Sequence, residues 1–314
     1  MVRLPSTRPL GAALSVAVTA LARDALAVGV NGTLPTNQDY LETQGIGAGT
    51  LQRALDEMRA GGALRTVSRG HLGRMVAELD VASAWRLGGL PPIRLVLPPA
   101  GPVEVTALQE VLAEALSGLA IPHTARHLRG GSARLEMTLT GLVDLSVFST
   151  GVLRAADTPA DLKHRALGVG TYYGPDRIAV VRRVGDRLPP RRIAVDDDSP
   201  DHRALTLGEF PPQGDWEYLQ VPFPRVPAAI ATGQADAGIW HICPSPVPLE
   251  RAGLDLGRLA SQSGQAAWRS TSEAVLAVGP TRPELAGLLE ALDMSDLIGR
   301  QAGAIAADSG LLPT

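Results

Sequence analysis

GLVDLSVF at 141–148 and GQADAGIW at 233–240 follow one plan: a glycine, two residues, an aspartate, then a strongly apolar run. Glycine suits a tight turn, and a short apolar run bounded by turn signals suits a buried strand. The same plan occurring twice is most economically explained by two similar α/β lobes, with Asp144 and Asp236 bracing the turns that enter their strands.

Working outward from 141–148, the first lobe reads as a strand at 93–97, a helix at 105–116 with Leu108, Leu112, Ala115 and Leu116 on one face, and a strand at 123–128. A helix capped by Ser132 then runs to about Thr140. Around 233–240 the second lobe reads as a strand at 192–196, a capped helix at 199–210, a strand at 217–223 and a helix at 226–232. The stretches 184–191 and 259–272 read as links. A strand at 273–278 and helices from Pro283 then return to the first lobe, and a double crossing of this kind makes a hinge around a cleft.

Ligands of open α/β lobes lie beyond strand C-termini, where loop amides and helix starts converge. That rule selects Arg129, Gly130, Ser132, Ser149 and Thr150 in the first lobe, and Asp196, Ser199, His202, Trp240 and His241 in the second. Tyr172 and Tyr173, beside Gly174 and Pro175, read as lining the hinge, with Tyr172 the candidate ligand contact. Helix amides near Ser132 and Ser199, with Arg129, suit an anionic end, whereas Asp196, Asp197 and Asp198 suit an amine or a hydroxylated group. A small zwitterionic or mixed-polarity molecule satisfies both. Each residue also has a structural reading: Ser132 and Ser199 as caps, Trp240 as core, Arg129 in a surface ion pair, Tyr172 packing a loop.

Upstream lies LPTNQDYLETQGIGAGTLQRALDEMRAGGALRTVSRGHLGRMV at 34–76. Thr36 suits an N-cap, Gly45 a reversal between helices, and Leu51, Leu55 and Met58 an apolar stripe. Gly61 and Gly62 end that helix, and two short strands follow around Ser68, Arg69 and Gly70. Between 46 and 76, five arginines face Asp56 and Glu57, which reads as a DNA-binding head. Its candidate contacts are Thr36, Thr50, Gln52, Arg53, Arg59, Arg65, Arg69 and His71. Gly47, Ala48 and Gly49 depart from the polar start expected of a base-reading helix.

The 314-residue chain is large enough for two or three domains: a head at 1–76, a linker at 77–92 and a two-lobed body at 93–314. A net charge of −3 excludes a globally basic nucleic-acid coat but not a small basic head. Cys243, the single cysteine, excludes an internal disulfide and a cysteine-based zinc site. Residues Arg3 and Arg8, the apolar run 10–22 and Ala25-Leu26-Ala27 imitate a secretory signal, but Leu14, Val18, Leu21 and Leu26 also supply the first helix of a winged head. The second reading implies a cytoplasmic protein with no membrane span.

The LPT opening, TLQRALDEMRAGGALR at 50–65 and RGHLG at 69–73 resemble the winged helix-turn-helix of GntR-type transcription regulators over roughly residues 12–76. The body resembles the type II periplasmic-binding-protein fold. More narrowly, the chain is similar to YhfZ-type regulators in HLRGGSARLEMTLTGLVDLSVFS at 127–149, IAVDDDSPDH at 193–202, DAGIWH at 236–241 and STSEAVL at 270–276. These resemblances imply a DNA-binding transcriptional regulator with a double-stranded operator and a small polar or anionic effector in the inter-lobe cleft. A homodimer, or a higher even-numbered oligomer, would match a palindromic site. One alternative is a secreted or periplasmic solute-binding protein without DNA binding. A further alternative is a metal-dependent hydrolase using Asp196, Asp198, His202 and His241. No HExxH, GxSxG or GxxxxGK[ST] run accompanies these residues, so no catalytic residue, metal ligand or cofactor is assigned.

Overall fold

The computed structural model describes residues 11–70, 73–243 and 248–308. They form two compact units, one of residues up to Ile93 with Leu116–Thr124 and Pro280–Leu292, the other of Arg94–Ala115, Ala125–Gly279 and the chain from Asp293.

The first unit opens with α1 (Ala12–Val28), β1 (Thr33–Leu34), α2 (Asn37–Gln44), α3 (Ala48–Ala60), β2 (Leu64–Ser68), β3 (Arg74–Leu79) and α4 (Val81–Leu87). Thr36 starts α2 with a reciprocal cap: its hydroxyl accepts from the Asp39 amide, and its own amide donates to the Asp39 carboxylate at 2.7 Å. Gly45 ends α2 in the left-handed region, at φ 66°, where a side chain is disfavoured. Leu51, Ala54, Leu55 and Met58 bury one face of α3, and α1 packs against that helix with Leu21 and Leu26 fully covered. The strands form one antiparallel sheet in the order β1-β3-β2. The stretch 77–92, read as a linker, holds the end of β3 and then α4, which Asp80 caps by accepting from the Ser83 amide. Trp85 is buried there beneath the Arg282 guanidinium, 5.2 Å from the ring centre.

The body is built from β4 (Ile93–Leu97), α5 (Val103–Gly118), β5 (His123–His127), α6 (Gly131–Leu139), β6 (Leu145–Ser149), α7 (Thr150–Ala155) and β7 (His164–Ala166). There follow β8 (Ile178–Arg183), β9 (Arg192–Val195), α8 (Pro200–Glu209), β10 (Glu217–Gln220), α9 (Val226–Ala231), β11 (Ala237–His241), β12 (Leu254–Arg258), α10 (Gln262–Thr271), β13 (Ala274–Val278), α11 (Leu285–Ala291) and α12 (Leu297–Ala307). Two five-stranded sheets result, β5-β4-β6-β13-β7 and β10-β9-β11-β8-β12. Each sets parallel strands beside an antiparallel one, β13 against β6 and β8 against β11. β13 joins the first sheet only after the chain has built the second, so the chain crosses between lobes twice, at 167–177 and 259–273. The second crossing falls where the sequence placed it. The first lies earlier than 184–191 because IAVVRR at 178–183 already belongs to the second sheet.

The repeated glycine–aspartate plan has a repeated structure. Asp144 accepts from the Arg94 amide at 2.8 Å and from its guanidinium at 2.8 and 3.1 Å, while its own amide donates to the Arg94 carbonyl. Asp236 does the same with Arg192: the amide at 3.0 Å, the guanidinium at 2.9 and 3.5 Å, and a returned bond to the Arg192 carbonyl. Each clip joins the entry of one strand to the entry of its neighbour, β6 to β4 and β11 to β9. Both aspartates brace turns, as their position before the strand suggested.

Candidate functional site

Ser149 ends β6 and caps α7, accepting from the Val152 amide at 3.1 Å. The same buried hydroxyl donates to the carboxylate of Asp201, with the two oxygens at 2.7 and 2.6 Å. Asp201 lies in the first turn of α8, in the other lobe. The Tyr173 hydroxyl, from the first crossing, donates to Asp201 Oδ2 at 2.8 Å. Gly151 lets the two lobes approach at this point, since a Cβ there would stand 2.1 Å from Asp201 Oδ1. Burial pushes the Asp201 carboxyl up to about 6, against the opposing pull of Ser149, Tyr173 and the charges of Arg134 and His241.

Arg134, on α6, is buried and donates to the carbonyls of Val147 and Leu128 at 2.7 and 2.6 Å and to the Tyr172 hydroxyl at 2.7 Å. Tyr172 packs edge-on to Tyr173, and Tyr173 edge-on to His241. His241 ends β11 and makes a second polar contact between lobes, with Nε2 2.7 Å from Glu104 Oε1 at the start of α5. Burial acts to raise the Glu104 carboxyl, but the His241 bond and charge outweigh it, helped by Arg177, and leave it below the ordinary range. Arg177 adds a 3.5 Å ion pair to Glu104 Oε2 and a 2.7 Å pair to Asp308.

Of the residues chosen from sequence, Ser149, Thr150, Tyr172 and His241 come together here, Thr150 by donating to the Ser270 carbonyl at 2.9 Å. Arg129 and Ser132 are exposed beside the start of α6. Ser132 is not its cap. Gly130 holds that position at φ 88°, which strains any residue with a Cβ, and the helix begins at Gly131. Asp196, Ser199, His202 and Trp240 are engaged within the second lobe. His202 Nδ1 accepts the Asp196 amide at 2.9 Å and Nε2 faces the Ile239 carbonyl at 3.0 Å, an arrangement that fits a neutral ring, and burial holds its pKa below the usual value. Asp196 accepts from the Phe223 amide at 2.7 Å, Ser199 caps α8, and Trp240 stacks on Phe223 inside the lobe's core. With His202 held by backbone and His241 by Glu104, the proposed hydrolase set does not converge. Among the described residues no group of three or more His, Cys, Asp or Glu side chains is placed to hold a metal. Sequence reasoning missed Asp201, Glu104, Arg134 and Arg177, and placed Tyr173 at the hinge without a ligand role. An acidic residue two positions beyond the Ser199 cap was the one available signal for Asp201.

The residues expected to touch DNA are also engaged with one another. Thr36 is committed to its cap, Arg59 pairs with Asp56 at 2.8 Å, and Arg65 pairs with Glu78. The Arg53 guanidinium turns back to Thr50 Oγ1 at 3.3 Å, and Gln52 bridges Arg74 and Asp56, each at 3.2 Å. Arg69 is exposed in the turn, and His71 lies outside the described residues. Extending the window from 76 to 80 adds Glu78 and Asp80, so five arginines face four carboxylates and most of the local positive excess disappears. No helix among the described residues is long and apolar enough to cross a membrane.

The YhfZ protein of Escherichia coli K12, itself uncharacterized, is 27% identical over 230 residues, 72% of this chain and 74% of that protein. The crystal structure of YhfZ from Shigella flexneri matches at 22% identity and TM-score 0.53, covering 71% of this chain and 93% of that one. A periplasmic substrate-binding protein of an ABC transporter from Coxiella burnetii matches at 16% identity and TM-score 0.47, over 71% of this chain and 100% of that one. The body therefore has a two-lobed α/β fold, shared with the Shigella flexneri YhfZ structure. These findings correct the functional expectation: the family match falls on the body, and the residues expected to touch DNA are spent on a helix cap and on ion pairs within the first unit. The DNA-binding transcriptional regulator, its double-stranded operator and its cytoplasmic location do not stand, and the homodimer argued from operator symmetry loses its ground. A model of the YhfZ C-terminal domain matches residues 80–309, and the chain belongs to that family.

Proposed function

We propose that the body binds a small polar solute of mixed charge between its two lobes. The observation that carries this reading is the Ser149–Asp201–Tyr173 contact, a fully covered carboxylate held across the lobes by hydroxyls from the opposite lobe and from the crossing segment. Burying a charge costs several kcal/mol after relaxation, so a junction with only a structural purpose is more cheaply made from apolar groups. Polar groups at strand ends can instead exchange their partners for those of a solute when the hinge opens. Asp201 and Glu104 suit an ammonium or hydroxyl group. The hydroxyls of Ser149 and Tyr173, beside Arg134, suit an acidic one. The reading is one of binding and carries no catalytic step.

Titration with a panel of amino acids, aminosulfonates and small dicarboxylates, followed by differential scanning fluorimetry, tests it. A true ligand at about 100 times its Kd should add roughly 2.7 kcal/mol of stability. Ser149→Ala and Asp201→Asn should cut that gain by about half or more. A gain unchanged in both variants would place binding elsewhere.

For the first unit we propose a winged helix-turn-helix topology. The support is the α2–Gly45–α3 reversal and the β2–β3 hairpin joined by β1. No DNA role is attached to it. The division into a head at 1–76, a connecting stretch at 77–92 and a body at 93–314 is likewise a proposal, with α4 as the ordered part of the connection.

A further inference from the structure

A cavity of about 290 Å³ lies in the body, lined by Pro175, Asp176, Ile178, Arg258, Leu259, Gln265, Trp268 and Arg269, with Asp201 not among its lining residues. Its chemistry is divided. Ile178 is buried in an apolar cluster of the second lobe, against which Leu259 and the Trp268 ring pack, so one side is flat and hydrophobic. Arg258 and Arg269 are exposed and bring two guanidiniums to the cavity. Among the described residues lining it Asp176 is the only carboxylate, 3.7 Å from Arg258, and both side chains are more than half exposed. An exposed ion pair of that length is weak and screened by water, so it does not cancel the positive character set by two guanidiniums against one carboxylate. Trp268 is fixed in place because its indole N–H donates to the Tyr173 carbonyl at 3.0 Å.

We infer that this cavity is a second binding site, separate from the inter-lobe cluster, for a small carboxylate carried on a flat apolar body. The apolar part lies along Trp268, Ile178 and Leu259. The carboxylate meets Arg269 and Arg258, whose forked donors match its two oxygens. A cavity of this size admits a single-ring molecule. The inference does not rest on what the inter-lobe site binds.

The test is calorimetric titration of the full chain with benzoate, its neutral analogue benzamide and its cationic counterpart benzylamine. Benzoate should bind saturably, with benzamide at least about tenfold weaker and benzylamine not detected. The double variant Arg258→Gln/Arg269→Gln changes only exposed side chains and should fold as the parent does. It should weaken benzoate by about tenfold or more. Benzoate should also change tryptophan emission in the parent, and Trp268→Phe should lose that change. Ser149→Ala and Asp201→Asn should leave benzoate binding as it is. No saturable benzoate binding at millimolar concentration, equal binding of benzamide, or binding intact in the arginine variant would overturn the inference. So would loss of benzoate binding in Ser149→Ala, because that would assign the ligand to the inter-lobe site.

Discussion

The Asp201 carboxylate receives two hydroxyl hydrogen bonds, yet its pKa stands at about 6, above the ordinary 3.8, because burial disfavours the charge more than Ser149 and Tyr173 favour it. A raised folded-state pKa means that the folded protein holds the proton more tightly than the unfolded chain. The associated stability is complete below the ordinary value and is lost as pH rises through about 6. Asp201→Asn keeps the shape and removes the titration. It should be more stable than the parent by on the order of 2–3 kcal/mol near pH 8, with the gap closing toward pH 4. Urea unfolding at both pH values checks this, and parallel curves would contradict it. Gly151→Ala drives a methyl group toward Asp201 Oδ1 at 2.1 Å and Thr271 Cγ2 at 2.7 Å, and should cost roughly 1–3 kcal/mol in the same assay. At this scale the sequence was partly readable. Ser149, Thr150 and His241 follow from a rule about strand ends, whereas Asp201, Glu104 and Arg134 lie on helices. Which of their faces meets the other lobe depends on how the chain crosses between sheets.

The clips at Asp144 and Asp236 were legible as elements because the residue plan repeats, and the repeated geometry with Arg94 and Arg192 explains the repeat. For Asp236, burial acts upward, but hydrogen bonds from Arg192 and Arg183 and two backbone amides outweigh it and hold the carboxyl far below its ordinary value. A depressed pKa gives stability that is present above the ordinary value and lost as pH falls through the folded one. Asp236→Asn should therefore be destabilised at neutral pH by about 1.5–3 kcal/mol, and the difference from the parent should shrink in strong acid. Guanidinium unfolding at both pH values measures it. In the first unit, Thr36→Ala removes the reciprocal cap of α2 and should cost about 1 kcal/mol in thermal unfolding. The helices and hairpin there could be read from caps, glycines and apolar stripes. α4 and β8 could not: α4 is a seven-residue helix held by a buried Trp85, and β8 ends in two arginines that resemble a loop.

At the scale of the whole molecule, the two sheets share a design in which strands parallel at the centre are flanked by an antiparallel one, and two crossings at 167–177 and 259–273 join them. Polar contacts from Ser149 to Asp201 and from Glu104 to His241 close the lobes on each other near those crossings. The head misled the functional reading because a count of arginines up to residue 76 stopped short of Glu78 and Asp80, and because exposed arginines were scored without their partners. The lobes were legible from residue pattern alone, since burial on both sheet faces writes itself into apolar runs. The central claim is that a mixed-charge solute binds where Ser149, Tyr173 and Asp201 meet. Its most direct test is calorimetric titration of the parent, Ser149→Ala and Asp201→Asn with those members of the amino-acid, aminosulfonate and dicarboxylate panel that raise the melting temperature. The account predicts one saturable site in the parent, weakened at least about tenfold in each variant. Equal affinity in all three proteins, or no panel member binding the parent at millimolar concentration, would contradict it.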